Sequence, residues 1–151
     1  MPTFIEDEIK EELSDFVRNC IILGEGRDYL IALLTLKSKI DQNNEPIDEF
    51  DEKVLKNLRS FDIFYTKPSE IARLDTDNNL MKFFREKIKL ASARASIAAS
   101  YSTEVCEIKN FKVLPRDFSI KKEELNSLLK IRRNKVLENF TSEINECYIT
   151  A

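Results

Sequence analysis

The amino-acid sequence predicts an α+β domain, a small mixed sheet with a β-hairpin and a third strand, packed against several helices. Three observations lead there. Two apolar runs, Val17–Leu23 and Tyr29–Leu36, flank Gly24-Glu25-Gly26-Arg27-Asp28, which holds both glycines of the chain. A later run, Thr103–Leu114, again has strand character through Val105, Phe111 and Val113. Much of the remaining chain carries apolar residues at helical spacing.

Taken in order, Thr3 is read as a helix N-cap, with Glu6 three residues on completing a capping box. Ile5, Ile9, Leu13 and Phe16 then share one helical face, and Glu6, Asp7 and Glu8 form a solvated acidic start. The glycine pair sets the hairpin turn, because glycine accepts positive φ. As a lone GxG with no helix behind it, it does not amount to a phosphate loop. Tyr29–Leu36 is apolar on both faces and is expected to be the central strand. Lys39–Pro46 reads as a loop, followed by a helix with Ile47, Phe50, Val54, Leu58 and Phe61 on one face. The carboxylates Asp41, Glu45, Asp48, Glu49, Asp51 and Glu52 lack the glycine and oxygen spacing of a calcium loop and read as a solvated face. Phe61–Tyr65 is an aromatic patch without an assigned neighbour. Pro68 marks a short helix with Ile71 and Leu74 inward. Asp77 is expected to cap the next, where Leu80, Phe84, Ile88, Ala91 and Ala95 align. The small residues of 91–100 suit close approach of another backbone.

The bulk composition narrows the function. The 151 residues are 42% hydrophobic and 34% charged, with net charge −3, which describes a folded chain without a basic excess for nucleic acid. There is no histidine. Histidine acid–base chemistry, Ser-His-Asp triads and most zinc sites therefore drop out, and Ser92, Ser96 and Ser100 lack a base. Cys20, Cys106 and Cys147 are odd in number and far apart, which fits a reducing compartment. Tyr29–Leu36 is too short to span a bilayer, and the acidic start is unlike a targeting peptide. The chain is expected to be one domain over 1–151, without a metal site, in the cytoplasm or at the periphery of an intracellular membrane.

The segment Phe111–Phe140 carries the chemistry. It turns at Leu114-Pro115-Arg116-Asp117 and ends in Lys130, Arg132, Arg133 and Lys135, backed by Val136, Leu137, Phe140 and Ile144 at helical spacing. From the residues alone, this cluster is a solvated charged face or a site. Nucleic-acid binding is opposed by the negative net charge and by the lack of an aromatic platform. A membrane-resting helix is opposed by Glu138 and Glu143. Leu125, Leu129, Arg132, Val136, Phe140 and Ile144 also fit one continuous helix, so Asn126–Lys130 is either helix or loop.

Two segments, Ile5–Lys37 and Phe111–Phe140 with its Leu114-Pro115-Arg116-Asp117-Phe118-Ser119 run, resemble the start and end of the C-terminal lid domain of long-chain acyl-CoA synthetases. The bubblegum type is the nearest subgroup. The resemblance implies an adenylate-forming ligase that activates a fatty acid with ATP and then transfers the acyl group to coenzyme A. ATP, magnesium and the acyl chain would sit in an N-terminal AMP-binding domain. That domain and the hinge are expected to be absent from these residues, so the chain by itself is expected to be inactive and to bind none of those cofactors. Its partner would be such a domain, in cis in a longer product or in trans. Lys130 stands where the family places its adenylation lysine. Arg132 and Arg133 would steady phosphates or line the domain interface. The family motif has Gly-Glu-Leu and a Thr-Pro-Thr-like turn before the lysine, where this chain reads Glu123-Glu124-Leu125-Asn126-Ser127-Leu128-Leu129. A non-catalytic protein-interaction module derived from the lid is the alternative.

Overall fold

The computed structural model describes residues 2–24, 29–98 and 107–150. Strand β1 (Val17–Leu23) pairs antiparallel with β2 (Leu30–Leu36), Cys20 lying opposite Leu34 and Ile22 opposite Ala32. The predicted hairpin is present. A Cβ on Gly24 would meet the Leu30 side chain at 2.3 Å and the Leu30 Cα at 3.0 Å, so the strand exit needs glycine there. The rest of the turn, 25–28, lies outside the described residues. Strand β5 (Ile108–Val113) joins β2 in parallel on its other side, which makes β2 the central strand as expected. The part of the third run before residue 107, with Val105 and Cys106, also lies outside the described residues.

Side chains alternate across a strand, so the sheet divides the apolar residues between two cores. Cys20, Ile22, Ala32, Leu34 and Leu36 face one core, and Ile21, Ile31 and Leu33 the other. Burying each large β2 side chain contributes roughly 1.5–3 kcal/mol. The first core is covered by helix α1 (Pro2–Glu12), α2 (Glu52–Arg59), the short α3 (Pro68–Ile71) and the long α4 (Asn79–Ala98). Leu80, Phe84, Ile88, Ala91 and Ala95 are all buried on α4, which packs along α1. Phe61 leaves the aromatic patch to pack on Phe83 at 5.1 Å and Phe16 at 6.0 Å, while Phe64 is 73% exposed. The second core is closed by α5 (Arg133–Asn139) and α6 (Thr141–Ile149). Asn110 on β5 donates to the Cys147 carbonyl at 2.8 Å and to Thr150 Oγ1 at 2.9 Å, fastening α6 to the sheet. Burial raises the thiols of Cys20 and Cys147, the latter to about 11, so neither is a reactive thiolate.

Several expectations need correction. α1 begins at Pro2, which places Thr3 inside the first turn and not before it. Proline suits a first helical position because its missing N–H has no partner there anyway. Lys39–Pro46 is not simply a loop, since β3 (Ser38–Ile40) and β4 (Pro46–Phe50) form a second hairpin. Ile47 and Phe50 are therefore strand residues, and the helix starts only at Glu52, where the Asp51 side chain accepts the Val54 N–H at 3.0 Å. An aspartate with that bond ends the extended run and caps the helix. The cap of α4 falls on Asn78, whose Oδ1 accepts the Leu80 N–H at 2.9 Å, and not on Asp77.

Candidate active site

Between β5 and α5 the chain runs from Leu114 to Arg132 without a helix, yet it is densely bonded. The run from Leu114 to Ser119 sets its base. Leu114 and Phe118 are buried in the second core, with Phe118 against Phe140 at 6.0 Å. The buried Asp117 accepts from Arg18 Nη1, Asn19 Nδ2 and the Phe118 N–H, each at 2.9 Å, which pins the loop to β1. Arg116 lies 4.7 Å above the Phe140 ring and makes two parallel bonds to Glu124, at 2.7 and 2.6 Å. Such bidentate pairs fix orientation as well as distance. Ser119 Oγ donates to Glu45, on the turn of the β3–β4 hairpin.

Glu124 is 0% exposed. It also accepts from Asn139 Nδ2 at 2.8 Å and the Ser119 N–H at 3.0 Å. Burial pushes its carboxyl up, but the hydrogen bonds from Arg116 and Asn139, with the Arg116 charge, outweigh that and hold it below the ordinary carboxylate range.

Above this base a tight loop forms. Leu125 bridges Ile131, and the Arg132 N–H donates to the Glu124 carbonyl at 2.7 Å. The Asn126 N–H donates to the Lys130 carbonyl at 2.9 Å. The Asn126 side chain accepts the Leu128 N–H at 2.9 Å and the Lys130 N–H at 3.0 Å. Asparagine thus folds its own backbone into a turn in competition with helix. Of the two conformations open for Asn126–Lys130, the structure has the loop. The continuous helix is absent, since α5 starts at Arg133 and is interrupted at Phe140, with φ −116 and ψ 28. Glu123, just before the loop, and Leu129, at its tip, have φ of 65° and 63°. Each left-handed residue without glycine costs about 1–2 kcal/mol. Glu123 stands where the resembled motif has its glycine, so the backbone path is kept while the residue suited to it is not.

The structure sorts the cationic cluster. Lys130 lies exposed on the loop beside Leu128 and Leu129, which are 76% and 65% exposed. Among the described residues neither the Lys130 nor the Arg132 side chain has a hydrogen-bond or ion-pair partner. Arg133 is paired with Glu6 of α1, whose buried carboxylate also accepts the Ile22 N–H at 2.6 Å. Lys135 is shared by Glu138 and Glu123, both at 3.4 Å, and these hydrogen bonds raise its pKa. Among the described residues, Lys130 and Arg132 are thus unpaired while Arg133 and Lys135 are engaged.

Arg116, Asp117, Glu124, Asn126 and Glu6 escaped the sequence reading as site residues. Asn126 had a local signal, an asparagine four residues before the lysine. The Arg116–Glu124 pair was not legible, because it is made across an irregular segment where neither helical nor strand periodicity applies. No cluster of three or more potential metal ligands occurs among the described residues. Asp41, Asp48 and Asp51 of the acidic stretch accept backbone N–H bonds.

The chain is similar to known proteins in sequence and in fold. A family model described as the AMP-binding enzyme C-terminal domain matches residues 1–108. The long-chain-fatty-acid–CoA ligase heimdall of Drosophila melanogaster is 30% identical over 167 aligned residues, covering 97% of this chain and 24% of that protein. The long-chain-fatty-acid–CoA ligase ACSBG1 of Bos taurus is 30% identical over 148 residues, covering 97% of this chain and 19% of that protein. The chain thus spans about a quarter or less of the length of these relatives. The adenylation domain of a carboxylate reductase from Mycobacterium chelonae superposes with a TM-score of 0.54 at 16% identity, covering 96% of this chain and 17% of that one. The A-PCP didomain of a carboxylic acid reductase from Segniliparus rugosus, in complex with AMP, gives 0.56 at 14% identity, covering 99% and 16%. These likenesses carry the fold.

Proposed function

The chain belongs to the AMP-binding enzyme C-terminal domain family, and from that membership we propose that residues 1–151 form the lid of a long-chain fatty-acid–CoA ligase. It works against an AMP-binding domain, in cis in a longer product or in trans from another chain, and is inactive alone. That partner domain holds ATP, magnesium and the fatty acid, and the cytoplasm or a membrane periphery is its setting.

The chemistry requires what Lys130 offers. A carboxylate oxygen of the fatty acid attacks the α-phosphorus of ATP, the bond to pyrophosphate breaks, and negative charge builds on the phosphate oxygens. A compact, mobile ammonium can contact carboxylate and phosphate together and favour the crowded geometry. Losing one such preorganised donor typically costs about 10²–10³ in rate. In the second step the coenzyme A thiol attacks the acyl carbonyl and AMP leaves, with no demand on Lys130. Arg132, the other free cation, closes on phosphate or on the domain interface. Arg133 holds α5 to α1 in the conformation seen.

The observation that carries this reading is the presentation of Lys130 on an exposed, hydrogen-bonded loop, free of any partner among the described residues, at a place whose residues also fit a continuous helix. The test mixes the chain with a synthetase deleted for its own lid and follows ATP–pyrophosphate exchange. Exchange is expected from the mixture and from neither part alone. Binding without exchange would instead assign the role of a non-catalytic interaction module, and exchange by the lone chain would refute the lid assignment.

A further inference from the structure

We infer that the buried Arg116–Glu124 pair is a positioning pair, setting where the loop presents Lys130; this rests on the lid reading above. Glu124 sits at the foot of the loop. Its chain continues directly into Leu125, and its carbonyl accepts the Arg132 N–H at 2.7 Å, so both feet of the 125–131 loop are bonded to one residue. Its side chain is fully buried and reaches three residues on two separate pieces of structure: Arg116 and the Ser119 N–H in the run after β5, and Asn139 at the end of α5.

A buried carboxylate is costly unless it is paired and fully hydrogen-bonded, and an apolar pair of similar size often stabilises a fold as well or better. What the apolar pair cannot do is fix direction. The four bonds accepted by Glu124 define its place in three dimensions, and Arg116 is itself fixed over the Phe140 ring. Above this base the loop is held chiefly by the bonds of Asn126, and its tip residues Leu128–Lys130 are exposed. An error of orientation at Glu124 is therefore carried to Lys130, six residues on. Lys122 and Glu123, the charged neighbours on the same segment, are exposed, and Lys135 on α5 faces Glu123. Arg116 is the single cation bonded to the Glu124 carboxylate among the described residues.

The experiment uses Glu124→Gln, with Arg116→Ala as a second variant should the first fail to fold, in the full 151-residue chain. Two readouts are taken. Backbone ¹⁵N order parameters at Leu129 and Lys130 in the lone chain are expected to fall from about 0.8 to below about 0.6, while those of β2 hold. In the mixture with a lid-deleted synthetase, adenylation kcat is expected to drop at least about tenfold with KM for fatty acid unchanged. Thioester formation from preformed acyl-adenylate should persist. Val54→Ala, on α2 and remote from the loop, serves as a control of matched thermal stability and should leave kcat alone. Unchanged loop order, or a kcat loss no greater than that of the control, would overturn the positioning role. If the wild-type mixture shows no adenylation while Glu124→Gln still releases the loop, the ligase reading fails and the hold of the pair on the loop stands.

Discussion

On one face of the sheet, α1 and α4 pack through Ile5, Ile9, Leu13, Phe84 and Ile88, all buried, with Glu12 bridging to Lys87 at the rim. On the other side, the segment from Leu114 to Arg132 is fixed by named polar bonds at Arg116, Asp117, Glu124 and Asn126. The first region is held by non-directional burial, which tolerates small shifts. The second is held by directional bonds, which give each backbone atom of the loop a definite place. The difference teaches where stability and presentation reside. Removing apolar bulk should weaken the whole molecule and leave the loop geometry intact until it unfolds. Removing one polar partner should loosen the loop and leave the fold.

The largest effect should come from the apolar side. Phe84→Ala empties a fully buried aromatic site and should cost about 3–5 kcal/mol in denaturant unfolding. Its loop signals should stay native-like below the transition. Simultaneous loss of loop order would mean that the two regions are not separable as described.

A smaller loss is expected from Asn126→Ala. It deletes the acceptor for two backbone N–H groups on an exposed turn, worth about 1–2 kcal/mol of local order. Order parameters at Leu128–Lys130 should fall while the global midpoint moves little. A continuous helix from Leu125 to Phe140 in this variant would show that Asn126 is what excludes it.

The smallest and most local effect is with acid. The Glu124 carboxyl in the folded chain titrates below the ordinary 4.5 because Arg116 and Asn139 outweigh its burial. Its stabilising contribution is therefore present in full above that ordinary value and is lost as pH falls through the lower folded value. The loop should remain ordered at pH 5 and loosen only as pH falls through the lowered folded value, ahead of β2. Loosening between pH 5 and 7 would contradict the pairing with Arg116.

The three strands of the main sheet and the long helix were legible because their apolar residues form runs or a helical period. The apolar run Cys20–Leu23, the near-continuous apolarity of Tyr29–Leu36 and the spacing from Leu80 to Ala95 each report burial directly. The stretch from Ile47 to Phe61 misled for the same reason. Ile47, Phe50, Val54, Leu58 and Phe61 fit a helical face by position, but the first two sit on a strand and Asp51 restarts the chain as a helix. In the candidate site only the cations and the family motif were visible. Arg133 is engaged by a partner far off in sequence, Glu6, whereas Lys135 has the local Glu138 beside Glu123. The loop at Lys130 depends on a turn made by Asn126 and on a positive φ at Glu123 and Leu129, which the side-chain pattern does not encode.

The role proposed for this loop is to present Lys130 for adenylation. The most direct measurement takes Lys130→Ala into the mixture with a lid-deleted synthetase and follows the two half-reactions separately under single-turnover conditions. The expected result is a fall in acyl-adenylate formation on the order of 10²–10³, with transfer from preformed acyl-adenylate to coenzyme A unchanged. Because the side chain is exposed and unpaired, stability should stay within about 0.5 kcal/mol of the parent. Equal adenylation by the variant and the parent chain would contradict the claim.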